Sequence, residues 1–327
     1  MQANKRQLLA VVAALVAGTW AGTGHAQAGY PDKPVKLVVG YAPGTAPDVL
    51  ARLVSDRLGQ ALKQQVVVDN RAGAGGQIAA QTVAKSPADG YTLLLGEAGS
   101  ISIAPAAFSK LPYDPTKELV GVAELCKVDF VFVVPANSPH KTVADFVKAA
   151  KAQADKTNIA TFGAGTPGHF GAELLAEAGG FKVEPVHYRA TGDAVTAIVS
   201  GDVAGSFVST ALGAAQIKGG KMRALATTAP QRSPLLPDVP TFAEAGLPKV
   251  NVSTWFAVLA PAGTPAPVLD LLNKQLQDTL RLPDVQARMV EAGFSTSTSS
   301  RADTDKLIRS EGQRWAGLVK ATGFKGD

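Results

Sequence analysis

The chain of 327 residues contains one cysteine, Cys126, so it cannot close a disulfide within itself. Histidine is also scarce, and beyond residue 28 the sequence holds only His140, His169 and His187. These histidines form no H-x-x-x-H pair and have no second cysteine to join them, so the usual zinc-binding patterns are absent. A G-x-S-x-G nucleophile motif is missing as well. The absences argue against the common hydrolases and zinc enzymes, and we expect a protein that is not an enzyme and needs no cofactor.

Long apolar runs are scarce too, because only residues 8–17 form one, shortly after Lys5 and Arg6. This run is shorter than the roughly 20 residues that a membrane-spanning helix needs. A basic start, a short apolar run and small residues after it are typical of a secretory signal peptide. We therefore expect a signal peptide that is cleaved after Ala26 or Ala28, and a mature protein in the periplasm.

Charge of one sign is not concentrated in any segment. The formal net charge of the whole chain is +5. The first 28 residues contain two basic residues, Lys5 and Arg6, and no acid, so the remaining chain has a net charge of +3. A mild, scattered excess argues against nucleic-acid binding and is compatible with a weak attraction for anions. Hydrophobic residues make up 46% and charged residues 18% of the chain, which excludes a disordered protein. About 300 mature residues exceed one typical core and predict two domains.

The apolar patterns alternate between strands and helices in both halves of the chain, which predicts an α/β fold with largely parallel sheets. Strands are predicted at 35–39, 65–68, 92–95, 130–134, 158–161, 183–188 and 255–260, and helices at 48–62, 77–84, 143–154, 168–178, 268–280 and 303–320. The last two helices are expected to pack back on the first half. The predicted division is a signal peptide at 1–28, a first lobe formed by 29–127 plus 254–327, and a second lobe formed by 128–253.

Short motifs occur in a fixed order along the mature chain: YPDKP at 30–34, VVGYAPG at 38–44, DNRAGAGG at 69–76, DGYTLL at 89–94, LPYDP at 111–115, KMRALA at 221–226, SPLLPDVPT at 233–241, EAG at 244–246 and APAGTP at 260–265. Together they resemble the Bug or TctC family of tripartite tricarboxylate transporter receptors. The resemblance implies a type II periplasmic-binding-protein fold, with two α/β lobes joined by a two-crossing hinge. It also implies a receptor that holds a small organic anion, a carboxylate, in the inter-lobe cleft and delivers it to membrane transporter subunits. We expect a monomer, and a receptor that presents its ligand to a membrane sensor kinase is an alternative with the same fold.

The first predicted binding loop lies between the first strand and the first helix, and it comprises Tyr41, Ala42, Gly44, Thr45 and Asp48. It resembles the family's first binding loop. The first N–H groups of a helix lack intrahelical partners, and the helix dipole favours an anion there. The sequence departs from the family's pattern at Thr45 and at the proline two residues later, which cannot donate an N–H. An ordinary capped turn, with Thr45 as the cap, is the alternative interpretation.

The second predicted binding loop comprises Thr161, Gly163, Gly165, Thr166 and His169, and it resembles the family's second binding loop ahead of a helix. Thr166 and the glycine amides are the best candidates for contacting a carboxylate. A lone histidine is more commonly structural than ligand-binding, so a cap of its own helix or packing against it is the favoured role of His169, and direct contact with the ligand is the alternative.

The same loop admits an enzymatic alternative. Gly163, Gly165 and Gly168 form G-x-G-x-x-G after a predicted strand, and Glu184 stands at about the spacing of a ribose-binding acid. This pattern would suit an NAD-binding enzyme. A nicotinamide cofactor is not supplied to an exported protein, however, and the family resemblance favours the receptor.

Two further segments, Gly96 to Ser100 and Tyr188 to Asp193, resemble cleft-lining segments of the family, and Gly96, Ser100, Tyr188 and Val208 are predicted to line the cleft. Many relatives carry an acid or an amide near the position of Val208. An apolar side chain there suits an uncharged or aromatic ligand end, and it would leave a free amino group without a counter-ion. Amino-acid ligands are therefore disfavoured by this alignment.

Overall fold

The structure, a computed structural model, describes residues 29–188 and 191–326. The predicted signal peptide, residues 1–28, lies outside the described residues. Within the two described ranges, no helix combines the length and the apolar character that a bilayer crossing demands.

The described part of the chain contains ten strands: β1 (Val35–Val39), β2 (Val66–Asn70), β3 (Thr92–Glu97), β4 (Leu119–Pro135), β5 (Thr157–Thr161), β6 (Val183–His187), β7 (Gly205–Ser209), β8 (Met222–Thr227), β9 (Ser253–Pro261) and β10 (Ser295–Thr296). Hydrogen bonds join them in the order β2-β1-β3-β9-β4-β7-β5-β6, with β8 and β10 also paired to β4. β1 runs parallel to β2 and β3, and β5 runs parallel to β6 and β7. The pairs that involve β9 or β4 are antiparallel.

The helices of the described ranges are α1 (Ala46–Leu62), α2 (Gln77–Ala84), α3 (Ala104–Ala107), α4 (Pro115–Glu118), α5 (Val143–Ala152), α6 (Pro167–Gly179), α7 (Thr191–Ser200), α8 (Thr210–Lys218), α9 (Ala266–Leu280), α10 (Pro283–Glu291) and α11 (Arg301–Thr322). A 3-10 turn at Ala74–Gly76 and a π-helical turn at Gly99–Ile103 precede α2 and α3. The sequence patterns locate most of the long elements, but they do not predict α3, α4, α7, α8, α10, β7, β8 or β10, and they locate only the last part of β4. The predicted α/β class is confirmed.

The strand β4 belongs to both halves of the molecule because it is 17 residues long. Its first part, through Asp129, pairs with β9, and its last part, from Phe130 onward, pairs with β7 and β8. One continuous backbone therefore connects two α/β lobes. β9 provides a second crossing next to it, since Ser253 and Thr254 lie opposite Asp129 and Val128.

Separate apolar clusters fill the two lobes. In the first lobe, the buried face of α1, including Leu50, Val54 and Leu58, packs with β1, β3 and the buried face of α9. In the second lobe, Phe132, Phe146, Phe170 and Phe207 form an aromatic centre between β4, α5, α6 and β7. Each lobe thus has the layered helix-on-sheet core of an α/β domain.

The last helix departs from the prediction that it packs on the first half alone. Ile308, near the start of α11, joins a first-lobe cluster with Leu94 and Trp255. Trp315 and Val319, further along α11, belong instead to the second-lobe cluster, and the Trp315 and Phe170 rings lie 5.4 Å apart. α11 therefore contacts both lobes, because its apolar positions continue over six turns of helix, at about 3.6 residues per turn.

Cys126 lies in β4 opposite Phe256 and is fully buried. Burial raises the pKa of its thiol well above the usual range, and the nearby Glu124 carboxylate acts in the same direction. Such a thiol stays protonated and unreactive.

We expect Trp315→Ala to lower the free energy of unfolding by about 3–5 kcal/mol, because it removes a fully buried indole from the contact between α11 and the second lobe. Denaturant unfolding at neutral pH measures the difference. The matched control is Gln313→Ala on the exposed face of the same helix, which should change stability by less than about 0.5 kcal/mol. Equal small effects of both substitutions would contradict the packing described.

Candidate functional site

A cavity of about 370 Å³ lies between the two lobes. One wall comes from the first lobe and α3, the other from the loop that precedes α6. The lining residues are Tyr41, Ala74, Gly75, Gln77, Glu97, Gly99, Ile103, Ala104 and Phe108 on the first side, and Phe162, Gly163, Ala164, Gly165, Thr166 and Pro167 on the second. Ends of β1, β3 and β5 supply much of this wall, as is usual for ligand sites at the carboxyl ends of parallel strands.

The first predicted loop is held by the buried carboxylate of Asp48 at the third position of α1. Its oxygens accept hydrogen bonds from the Gly44 amide at 2.8 Å, the Arg52 guanidinium at 2.9 Å and the Asn70 side chain at 2.9 Å. These donors hold the pKa of Asp48 at about 2, below its usual 3.8, with Arg52 as the largest cause. The Thr45 hydroxyl donates to the Ala42 carbonyl at 2.7 Å and does not cap α1. Asp48 therefore positions the loop from behind.

The second predicted loop repeats this arrangement with different residues. Gly165 adopts a left-handed φ of 72°, as Gly44 does at 80°, and its amide donates to Nδ1 of His169 at 3.1 Å. The Thr166 hydroxyl donates to the Gly163 carbonyl at 2.8 Å and accepts from the His169 amide at 3.4 Å. In both loops, a side chain at the third helical position thus ties down the glycine that precedes the cap.

His169 is the counterpart of Asp48 in this comparison. Because Nδ1 accepts a hydrogen bond from Gly165, it carries no proton in this arrangement. Nε2 lies 3.7 Å from a Glu173 oxygen, and the ring contacts the ring of His187 at 5.0 Å. His187 in turn bonds to the Thr161 hydroxyl at 2.6 Å. This chain of contacts fixes the loop at the start of α6.

The glycine-rich segment after β2 allows the backbone itself to form the cavity wall. Ala74, Gly75 and Gly76 have left-handed φ values of 47°, 59° and 85° in succession. A Cβ on Gly40 would lie only 2.5 Å from the Cα of Gly76, so the two chain segments touch there. A side chain at position 40 would displace the segment.

The lining contains one charged side chain, Glu97, among the residues that the structure describes. The Glu97 carboxylate is buried and accepts the amides of Gly99 at 2.7 Å and Ser100 at 2.8 Å. It is also hydrogen-bonded to the Tyr41 hydroxyl. Burial raises the pKa of the Glu97 carboxyl, and these three donors act in the opposite direction. The described lining residues include no lysine or arginine, so the donors that they offer to an anion are backbone amides and neutral side chains such as that of Gln77.

The predicted site residues fall into three groups in the structure. Tyr41, Gly163, Gly165 and Thr166 line the cavity. Asp48, Ser100, Thr161 and His169 are buried behind the lining and hold it in place. Ala42, Gly44, Thr45, Gly96, Tyr188 and Val208 lie elsewhere.

The interpretation of Val208 as a cleft residue does not agree with its position. Val208 is fully buried, lies opposite Val131 of β4, and packs in a second-lobe cluster with Ile198 and Met222. Its neighbour Phe207 faces the other side of the sheet, since side chains of a strand alternate. Gly96 is likewise enclosed, because a Cβ there would lie 2.5 Å from Leu259. The side chain at position 208 therefore says nothing about the ligand.

Several lining residues are not among the individually predicted ones, and Glu97, which lies inside the predicted cleft-lining segment Gly96 to Ser100, is the most informative of them. A glutamate that ends an otherwise apolar strand, TLLLGE at 92–97, is the available signal in the sequence. Ala74, Gly75, Ile103 and Phe108 are small or apolar and carry no comparable signal.

The glycines of the G-x-G-x-x-G pattern have other roles in this structure. A Cβ on Gly168 would lie 3.2 Å from the Phe207 carbonyl, so this glycine allows α6 to pack closely on β7. Glu184, the predicted ribose-binding acid, is exposed and forms an ion pair with Lys156 at 2.5 Å. These contacts account for the pattern without a dinucleotide.

The C-terminal segment covers the second loop. The Phe324 ring lies 5.0 Å from that of His169, and a Cβ on Gly165 would lie 3.2 Å from Phe324. Two residues later, the Gly326 amide donates to the Ala107 carbonyl of α3 at 2.8 Å. The end of the described chain therefore contacts both walls of the cavity.

A larger groove of about 750 Å³ lies on the second lobe near the start of α5. The amides of Lys141 and Thr142 at this helix start already bond to the Asp145 carboxylate. Asp238 and Glu244 on the wall offset the positive charges of Lys141 and Arg223. An acid already occupies the anion-binding position here, so this groove is the weaker candidate.

Within 29–188 and 191–326, no cluster of three His, Cys, Asp or Glu residues could hold a metal ion.

We expect Asp48→Asn to lower the free energy of unfolding at pH 7 by about 1.5–3 kcal/mol, because charge-assisted hydrogen bonds are lost. The folded-state pKa of Asp48 is depressed to about 2 from 3.8, so its contribution is present above about pH 4 and is lost as the pH falls towards 2. Denaturant unfolding from pH 7 down to about pH 3 should show the difference shrinking by about half.

The control for this measurement is Asp56→Asn on the exposed face of α1, which should have little effect. A difference between the wild type and Asp48→Asn that stays constant down to about pH 3 would show that the carboxylate is not held as described.

Comparisons with known proteins agree with this architecture. The family model described as the tripartite tricarboxylate transporter family receptor, TctC, matches residues 50–324. Protein BugT of Bordetella pertussis is 33% identical over 323 residues, which cover 98% of this chain and 99% of BugT.

Two solved structures have a similar fold and a bound dicarboxylate in their descriptions. R. palustris Rpa4515 with adipate is 30% identical, has a TM-score of 0.84, and the alignment covers 90% of this chain and 99% of that one. MatC from Rhodopseudomonas palustris with bound malate is 31% identical, with a TM-score of 0.79 and coverage of 89% and 100%. The predicted two-lobe periplasmic-binding fold is thereby confirmed. The chain belongs to the TctC family of periplasmic solute-binding receptors, which is not an enzyme class.

Proposed function

We propose that this receptor captures a small organic anion, a carboxylate, in the cavity between its lobes and delivers it to a tripartite tricarboxylate-type membrane transporter. The observation that carries the proposal is the start of α6, where Gly163, Ala164, Gly165 and Thr166 form the cavity wall. Amides at the start of this 13-residue helix lack intrahelical partners, but Pro167 has no N–H and the His169 amide is capped by the Thr166 hydroxyl, which leaves the Gly168 amide as the helical donor. The positive end of the helix dipole adds to its attraction for an anion.

The amide of Gly165 and the hydroxyl of Thr166 are not the free donors that the sequence suggests. Gly165 donates to His169, and the single Thr166 proton goes to the Gly163 carbonyl. Both residues thus shape the loop, and the amides of neighbouring positions are left to contact the ligand. Adipate and malate in the two related structures are dicarboxylates, which supports a carboxylate as the ligand class.

We expect Ala164→Trp to weaken carboxylate binding at least tenfold, because it adds an indole to the wall of a cavity of only about 370 Å³. Ala164 is exposed, so the empty protein should keep its melting temperature. Titration calorimetry against a panel of mono- and dicarboxylates measures the affinity. The matched control is Ala152→Trp, at an exposed end of α5 away from the cavity.

The same pair of variants tests delivery in the cell. A strain without this receptor should regain uptake of the ligand with Ala152→Trp and not with Ala164→Trp. If Ala164→Trp binds carboxylates as tightly as the wild type, the cavity is not the ligand site. If binding is lost but uptake is unchanged, the receptor serves another partner, such as a membrane sensor.

We also propose that the chain is exported to the periplasm after removal of residues 1–26 or 1–28. The basic and apolar pattern that starts at Lys5 supports export, and membership of a periplasmic family agrees with it. Intact-mass measurement of periplasmic material should give a chain that begins at Gln27 or Gly29. A retained Lys5 and Arg6 segment, or a lipid adduct, would contradict this maturation.

A further inference from the structure

The two walls of the cavity carry opposite polarity. The second-lobe wall presents the start of α6, with its partial positive charge. The first-lobe wall presents Glu97 at the end of β3. This residue is buried, with 5% of its surface exposed. A ligand between the walls therefore meets hydrogen-bond donors at one end and a carboxylate at the other.

The Glu97 carboxylate is held in place as a hydrogen-bond acceptor. Oε2 accepts the Gly99 amide at 2.7 Å and Oε1 accepts the Ser100 amide at 2.8 Å. The Tyr41 hydroxyl adds a third donor. A Cβ on Gly99 would lie 2.7 Å from Oε1, so the surrounding backbone encloses the carboxylate and leaves it little freedom to turn away.

A second carboxylate of a ligand would meet this acid with no compensating cation among the described lining residues. The described lining offers no lysine or arginine to neutralise two carboxylates that face each other. Like charges in a poorly solvated site repel strongly. A hydroxyl or an ammonium group could instead donate a hydrogen bond to Glu97, and an ammonium group would also neutralise its charge.

We propose that Glu97 makes this receptor selective for monocarboxylates that carry a hydrogen-bond donor, a hydroxyl or an ammonium group, at the opposite end of the molecule. The inference rests on the proposed function, since it assumes that the start of α6 holds the carboxylate. It also reverses the expectation drawn from Val208, because the counter-ion for an amino group is Glu97 and not the residue at position 208.

The experiment compares acids that differ only at one end. Titration calorimetry at pH 7 is performed with hexanoate, adipate, 6-hydroxyhexanoate and 6-aminohexanoate, and with the four-carbon series of butyrate, succinate, 4-hydroxybutyrate and 4-aminobutyrate. In at least one series, the hydroxy or amino acid should bind the wild type at least tenfold more tightly than the dicarboxylate, a difference of about 1.4 kcal/mol.

The variant Glu97→Gln assigns the selectivity to this side chain. It removes the negative charge and keeps one acceptor oxygen, so the preference over the dicarboxylate should fall at least tenfold, with the dicarboxylate gaining affinity. The wild-type series decides the selectivity even if this variant does not fold. If Glu97→Gln folds and leaves the preference unchanged, Glu97 does not cause it.

The remaining outcomes separate the two proposals. If the dicarboxylates bind the wild type as tightly as, or more tightly than, the hydroxy and amino acids, this inference is overturned and carboxylate capture stands. If none of the eight acids binds, the proposed capture of small carboxylates is contradicted, and the inference falls with it.

Discussion

The backbone hydrogen bonds of β4 are the interaction on which the rest of the molecule depends. The strand pairs with β9 over its first part and with β7 and β8 over its last part, so both lobes are built on the same extended segment. The cavity lies where the loops of one lobe meet those of the other. Its shape is therefore set by how this shared strand, and β9 beside it, orient the two sheets.

The two loops near the cavity show how different residues reach one backbone conformation. Each has a left-handed glycine followed by a threonine, and each glycine amide is bound by the side chain four residues later. Asp48 serves the first loop and His169 the second. An ionised carboxylate and a neutral imidazole are both acceptors, so either can fix the turn.

Local patterns predicted the elements well and their contacts less well. β1 and α2 coincide with the predicted strand and helix because their apolar spacing is regular. The sequence also predicts the start of α6, because a threonine before a proline is a common beginning of a helix. The role of Val208 was misjudged, since which face of a strand meets the cavity depends on pairing with β4. The contact of Trp315 with the second lobe depends on tertiary packing in the same way.

The sequence places Glu97 in a segment that resembles the cleft wall, but it does not predict the role of its carboxylate, for a related reason. A single acid at the end of an apolar strand is as compatible with a surface position as with a buried one. Only the fold shows that the Gly99 and Ser100 amides enclose it and that Tyr41, from a distant loop, reaches it. Thr166 illustrates the converse. The sequence predicts its position beside the cavity, whereas only the fold shows that its hydroxyl donates to the Gly163 carbonyl.

The burial of Cys126 has a practical consequence. Its side chain has no exposed surface, and its thiol is held in the protonated form, so alkylating reagents have neither access to it nor a thiolate to attack. We therefore expect the folded protein to react with maleimides as if it contained no cysteine. A single cysteine introduced at the mouth of the cavity would then accept one fluorophore without background labelling. The fluorescence of that single label could then be followed while a solute is added to the receptor.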